Sequence, residues 1–237
     1  MRTKCTLRHS FATQGRAFHF PLSLNPHTID LTIPLLGKHQ IENAAIAYTA
    51  LSASGLEISD QAVKKGFAGV KWPARFQVAR REPPLIFDSA HNEDSFEKLH
   101  QTLQEHFPGR AVILIFGASE DKNILGMFSV MKPAIRHLIV TRADHPRALE
   151  PERILELARE AGLEAEAVTP VASAFRRALD LSAKDGSIVL SAGSMFVTAE
   201  VMEAWNKIAL TPTPSPIRAE RSGASRHEDE AGRGGKR

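Results

Sequence analysis

Apolar positions follow two different patterns along this chain, and the change falls near residues 71–76. Ahead of it, residues 16–20 and 29–33 read as short strands, limited by Pro21 and Pro34. Ile41, Ala44, Ala45, Tyr48 and Leu51 then recur at helical spacing on one face, and Gly55 supplies a stop. Ser59 is placed to cap a second helix with Ala62, Val63 and Phe67 turned inward.

Beyond Phe76 the pattern alternates regularly. Apolar runs at 85–87, 112–116, 137–141, 164–168 and 187–190 have strand length, and helical patterns lie between them. Phe96, Leu99, Leu103 and Phe107 share one helix face, and Ile154, Leu155, Ala158 and Ala161 share another. Thr169-Pro170 offers a cap followed by a proline in the first helical position. A last helix turns Val197, Val201 and Trp205 inward. Strand–helix alternation of this kind requires right-handed crossovers. It predicts an α/β fold with a mostly parallel, Rossmann-like sheet covered by helices on both faces.

Composition sharpens the boundaries. The chain has 237 residues, 43% hydrophobic and 24% charged, and a net charge of +3. Residues 211–237 hold six Lys/Arg and four Asp/Glu, a net of +2, which leaves +1 for the other 210. A body so close to neutral has no field suited to a polyanion, so nucleic acid is not the expected partner. The terminal stretch opens on Thr-Pro-Thr-Pro-Ser-Pro and has Ile217 as its one large apolar residue. It cannot bury enough surface to offset its ordering entropy, and disorder is expected there. The expected organisation is therefore 1–72, 73–207 and a tail at 208–237. Cys5 is the single cysteine, which excludes an internal disulfide and a cysteine-based metal cluster. No run of 18 apolar residues suits a membrane span, and residues 1–20 lack an apolar signal core. A cytoplasmic protein is the expectation.

Several familiar chemistries are excluded by spacing. Gly37-Lys38 runs into His39 and has no glycine five residues earlier, so no P-loop of the G-x-x-x-x-G-K-[ST] type is present. No G-x-G-x-x-G opens a helix, and Gly193-Ser194-Met195 lacks the second glycine of a nucleophile elbow. Glu97 and His100 are one helical turn apart, a pair that more often marks a solvated face than a metal site.

The informative positions are the ends of the apolar runs, because ligands of parallel sheets bind outside the strands' carboxyl ends. Asp88-Ser89-Ala90-His91-Asn92 follows one run. Asp88 is suited to ribose hydroxyls and His91 to a phosphate, a substrate or a metal-bound water; alternatively Asp88 and Asn92 cap the next helix. At the end of a second run, Asp121 is placed to cap and Lys122 to reach the same cleft. Thr141 to Arg147 forms a third such loop. Ser191-Ala192-Gly193-Ser194 forms a fourth, with helix-start amides able to hold an anion. Arg75, in Trp72-Pro73-Ala74-Arg75, is suited either to phosphate or carboxylate oxygens or to an interdomain salt bridge.

In order, the segments are Leu36-Gly37-Lys38-His39-Gln40-Ile41-Glu42-Asn43, Trp72-Pro73-Ala74-Arg75, Asp88-Ser89-Ala90-His91-Asn92, Gly117 with Asp121-Lys122, Pro146-Arg147-Ala148 and Gly193-Ser194. Together they resemble bifunctional folylpolyglutamate synthase/dihydrofolate synthase of the Mur ligase superfamily, over residues 18–205. The resemblance implies ATP- and Mg2+-dependent ligation of L-glutamate to a folate or dihydropteroate carboxylate through an acyl phosphate. It implies that Asn43 contacts adenine, Arg75 binds the ATP phosphates and stabilises transfer, and Asp88 holds the ribose. His91 and Ser194 would lie near the incoming glutamate, and Lys122 would serve substrate binding. It further implies that 1–72 is the end of the central ATP-binding domain and 73–207 the complete carboxyl-terminal domain. The P-loop and most Mg2+ ligands would then lie in a part that these residues do not include, a separately encoded N-terminal half being one form of it, and the chain alone would be inactive. The alternatives are a non-catalytic nucleotide- or amino-acid-binding module and a cell-wall amino-acid ligase. Ser89, Ala74, Glu93 and Asn123 depart from the residues usual in the family (Gly, Gly, Pro and Asp). A positive φ demanded at Ser89 or Ala74 would strain the backbone there.

Overall fold

The computed structural model describes residues 18–24 and 27–210, with the side chains of 24, 27, 209 and 210 left aside. The expected strand start at 16–17, Cys5 and the tail from 211 onward lie outside the described residues.

Two strands, β1 (Phe18–Leu24) and β2 (His27–Ile33), form an antiparallel ribbon in which Phe18 faces Ile33 and Leu22 faces Ile29. Its pleat sends Phe20, Leu22, Ile29, Leu31 and Ile33 to one side. On the other side Ser23 bonds Thr28 at 2.8 Å and Thr32 bonds His19 at 2.8 Å. Pro21 pairs with Asp30 inside β1 rather than limiting it. Both strands of a two-stranded ribbon are edges, where a missing N–H is tolerated.

Helix α1 (Lys38–Ala53) lays Ile41, Ala44, Ala45 and Tyr48 on the ribbon's apolar face. Gly55, at φ 75, lies just beyond its end. Helix α2 (Asp60–Ala68) starts at Ser59, whose hydroxyl accepts from the Ala62 amide at 3.3 Å. Of its expected inward residues Val63 is buried, Phe67 half-buried and Ala62 exposed, because a helix this short meets the ribbon along one edge only.

The remainder is a six-stranded sheet in the order β3-β4-β8-β5-β6-β7. Its strands are β3 (Gln77–Arg81), β4 (Pro84–Phe87), β5 (Val112–Phe116), β6 (Ile135–Val140), β7 (Ala165–Ala167) and β8 (Ile188–Ala192). All neighbours run parallel except β3, which returns antiparallel along β4. The intervening helices are α3 (Glu93–His106), α4 (Ile124–Met131), α5 (Pro151–Glu160), α6 (Val171–Asp185) and α7 (Met195–Leu210). Side chains such as Ile86, Leu114, Phe116 and Leu190 pack under α3, α4 and α5. Their strand neighbours Leu85, Phe87, Ile113 and Val189 pack under α6 and α7. The chain is thus a mostly parallel α/β sheet with both faces covered, as the alternating pattern predicts.

Strand β3 was not legible in the pattern. Its sequence, Gln-Val-Ala-Arg-Arg, is polar, and it occupies an edge where half-exposure suits it. Two caps also differ from expectation. Pro170 itself is the N-cap of α6, one position later than predicted, and Asn123 rather than Asp121 caps α4 by accepting from the Gly126 amide at 3.1 Å.

Candidate functional site

The loop after β4 carries Asp88, a polar residue held by four hydrogen bonds. Asp88 Oδ2 accepts from the Phe76 amide at 2.8 Å and Oδ1 from the Ala90 amide at 2.7 Å. Its own amide donates to the Ser191 carbonyl on β8 at 3.0 Å, and its carbonyl accepts from the Thr198 hydroxyl of α7 at 3.0 Å. Burial pushes the Asp88 carboxyl up from its ordinary range, opposed by those two amides and then by Arg75 and His91. Asn92 caps α3, exchanging bonds with Ser95 in a capping box.

Asp88 lines a cleft of about 240 Å³ between the small ribbon unit and the sheet. One wall is α1, with His39, Gln40 and Asn43. The other is the first turns of α3, with Asp94, Ser95, Lys98 and Thr102. Trp72, Arg75 and Phe76 line it from the crossing segment between the units, and the Arg75 guanidinium lies 5.3 Å from the centre of the Trp72 ring. Lys98 pairs with Asp94 at 2.5 Å. Across the cleft, Gln40 Nε2 lies 2.9 Å from His39 Nε2, and Asn43 Nδ2 donates to Gln40 Oε1 at 3.2 Å. With the Gln40 amide N–H facing it, His39 Nε2 serves as an acceptor, an arrangement that suits a neutral ring. Burial, then Lys98 and Arg75, holds the His39 pKa below its ordinary value, which agrees. The row leaves Asn43 its carbonyl oxygen and a second amide hydrogen for a ligand.

Of the predicted residues, Asn43, Arg75 and Asp88 meet in this cleft. Ser194 lies elsewhere, in a tight depression with Ser119, Thr141, Arg142 and His145, where the His145 ring stacks on Phe196 at 3.9 Å. Its hydroxyl accepts from the Phe196 amide at 3.2 Å. The buried Thr141 hydroxyl beside it has no partner among the described residues. His91 and Lys122 line neither space. His91 Nδ1 bonds the Ser89 carbonyl at 2.9 Å, and Lys122 pairs with Asp121 at 2.7 Å. Sequence reasoning gave no role to Lys98, although Ser95, Lys98 and Thr102 form a polar stripe at helical spacing that would have revealed it.

The backbone around Arg75 is unusual. Ala74 and Phe76, on either side of it, have φ of 56 and 43. Of the two positions where a positive φ would add strain, Ala74 has one and Ser89 is not among the positive-φ residues.

A mostly parallel sheet with a strand-end cleft, walled by a second unit and lined by Arg75, Asp88, Asp94 and Lys98, defines an α/β protein with an open polar cleft where such folds hold ligands. Residues 74–195 match the family model described as Mur ligase, glutamate ligase domain, so the chain belongs to that family. The dihydrofolate synthase/folylpolyglutamate synthase of Escherichia coli is 33% identical over 174 residues, 73% of this chain and 39% of that protein. The corresponding protein of Mycobacterium tuberculosis is 32% identical over 159 residues, 65% of this chain and 32% of its own length. Among solved structures, E. coli FolC in complex with DHPP and ADP superposes with a TM-score of 0.68 at 30% identity, covering 80% of this chain and 44% of that one. The chain thus spans less than half the length of these relatives. Among the described residues no helix is long and apolar enough to cross a membrane.

Proposed function

We propose that this chain supplies the glutamate-ligase side of an ATP-dependent enzyme that joins L-glutamate to a folate or dihydropteroate carboxylate. The observation that carries the reading is the meeting of Asn43, Arg75 and Asp88 in one cleft, in a chain whose relatives bear that activity in their names. In this reading residues 1–72 belong to the central ATP-binding domain and 73–207 form the glutamate-ligase domain, while the expected tail start at 208 moves past 210, because α7 runs to Leu210.

Each residue's chemistry fits its role. Asn43 offers donor and acceptor to an adenine edge, oriented by Gln40. Asp88 presents the remaining lone pairs of its carboxylate to ribose hydroxyls. Arg75 is a fixed cation for phosphate oxygens, and Lys98 adds charge to the same cleft. His91, whose Nδ1 is engaged with the Ser89 carbonyl, has Nε2 for the incoming amino acid. Ser194 and Lys122 serve the glutamate side. ATP supplies the phosphoryl group that converts the carboxylate into an acyl phosphate, from which the glutamate amine displaces phosphate. In this reading most of the Mg2+ ligands belong to the P-loop-bearing portion, and Mg2+ supplies charge to the transferring phosphoryl group there.

The sequence holds no P-loop lysine. Purified alone, the chain should release no phosphate from ATP in the presence of a folate and glutamate. Mixed with the P-loop-bearing portion of a relative, it should form the glutamyl product in an ATP-dependent way. Turnover by the chain alone, or none from a folded and associated mixture, contradicts the proposal.

A further inference from the structure

We infer that Asp88 is a positioning residue: its carboxylate clamps the backbone turn that carries Arg75 in a conformation the turn would not keep unaided, and so sets Arg75 in the cleft. The inference deepens the proposed function, because it explains how the phosphate-binding arginine is held, but the clamp itself does not depend on ATP.

The turn is strained on both sides of Arg75. Ala74 at φ 56 and Phe76 at φ 43 are L-residues in the left-handed region, where Cβ crowds the following carbonyl. Such geometry persists where surrounding bonds over-determine it. Here they do. Asp88 Oδ2 takes the Phe76 amide at 2.8 Å, and the next residue's amide, Ser89, donates to the Ala74 carbonyl at 2.9 Å. The loop after β4 therefore grips the turn immediately before and after Arg75. Within the turn, the Ala74 amide donates to Gln77 Oε1 at 3.0 Å.

The grip is itself anchored. The second carboxylate oxygen is fixed by the Ala90 amide at 2.7 Å. The Asp88 carbonyl receives the Thr198 hydroxyl, which lies 3.0 Å from the Ser191 hydroxyl. A hydrogen-bonded line thus runs from α7 through Thr198 and Asp88 to Phe76 and the Arg75 turn. The two charges sense each other, yet both carboxylate oxygens are engaged with main-chain amides while the guanidinium lies over Trp72. Asp88 acts on Arg75 through the backbone.

The test uses the full chain and four forms: wild type, Asp88→Ala, Ala74→Gly and the double variant. Alanine removes both acceptor oxygens, so neither the Phe76 nor the Ala90 amide keeps its partner. Glycine adopts positive φ without penalty. In Asp88→Ala, hydrogen exchange at the Phe76 amide should rise at least tenfold, and ADP affinity by calorimetry should fall at least tenfold. Adding Ala74→Gly should recover several-fold of that affinity, because the turn no longer opposes its own geometry. Unchanged exchange at Phe76 overturns the clamp. So does an affinity loss that Ala74→Gly leaves untouched, which would mark Asp88 as a direct ligand contact only. If Asp88→Ala does not fold, Thr198→Val loosens the same line more gently. It should raise Phe76 exchange several-fold, and no rise overturns the inference. If wild type binds no ADP, the nucleotide reading of the cleft fails, and the exchange data still decide the clamp.

Discussion

The ribbon unit and the six-stranded sheet solve the same problem unequally. Strands β4, β5 and β8 are buried at every position, between α3, α4 and α5 on one face and α6 and α7 on the other. The ribbon buries one face only, under α1 and α2, and leaves Ile46, Leu56 and Ile58 exposed in the helices and turn that cover it. A sheet covered twice closes its own core, while a ribbon covered once depends on its neighbours. The cleft lies where the two meet, with the doubly covered unit supplying Asp88 and Lys98 and the less self-sufficient one supplying His39, Gln40 and Asn43.

The largest effects should separate the two units. Phe116, fully buried, meets Phe96 and Phe128 at centroid distances of 6.1 and 4.9 Å. Phe116→Ala should cost about 3–5 kcal/mol and lower protection throughout the sheet. Leu22→Ala, at about 2–4 kcal/mol, should release the ribbon while the sheet keeps its protection. Hydrogen exchange with urea titration reads both. Simultaneous loss everywhere in Leu22→Ala would show that the units fold as one.

Next comes the cleft. Arg75→Ala should weaken ADP binding at least tenfold, about 1.4 kcal/mol, with unfolding stability within about 0.5 kcal/mol of wild type. A stability loss without an affinity loss would return Arg75 to an interdomain structural role.

Acid should then find the seam. Beyond His39, the seam holds His106, whose buried Nε2 has no hydrogen-bond partner among the described residues and whose ring meets Phe18 and Phe76 at 6.4 and 6.1 Å. Burial holds both histidines below their ordinary 6.5; Lys98 and Arg75 add to this at His39 and Arg81 at His106, against Glu42 and Asp94 and against Glu105. The unfolded chain binds protons near pH 6.5 that the folded seam refuses. The stability they contribute is therefore present above pH 6.5 and lost as pH falls through the folded values. The ribbon's exchange protection should drop below pH 6.5 before the sheet's does, and His106→Phe should flatten that profile. Equal loss in both units would refute it.

Much of this was legible. Continuous apolar runs marked β4, β5 and β8, because strands covered on both faces show little alternation. The helical face from Ile41 to Tyr48 and the Ser59 cap follow from spacing and cap chemistry alone. Ala74 was also legible as a place where a positive φ would strain the chain. What escaped detection depends on long-range partners. The polar run of β3 becomes a strand only by pairing with β4, and Pro21 is tolerated only because the ribbon has two edges. The loops at the strand ends look alike in sequence, yet the three-dimensional arrangement sets Asp88 in one cleft and Ser194 in another depression. The same view gives the smallest prediction. Ala74→Gly should stabilise the chain by up to about 1 kcal/mol in a thermal melt by relieving the φ of 56; a loss would show that the strain is absent.

The claim that the seam between the units receives a nucleotide is tested most directly by the hydrogen-exchange footprint of ADP on the whole chain. The account predicts slowed exchange at 39–43, 74–76 and 88–95, with 135–140 unchanged. Slowing confined to other segments, or none at saturating ADP, would contradict it.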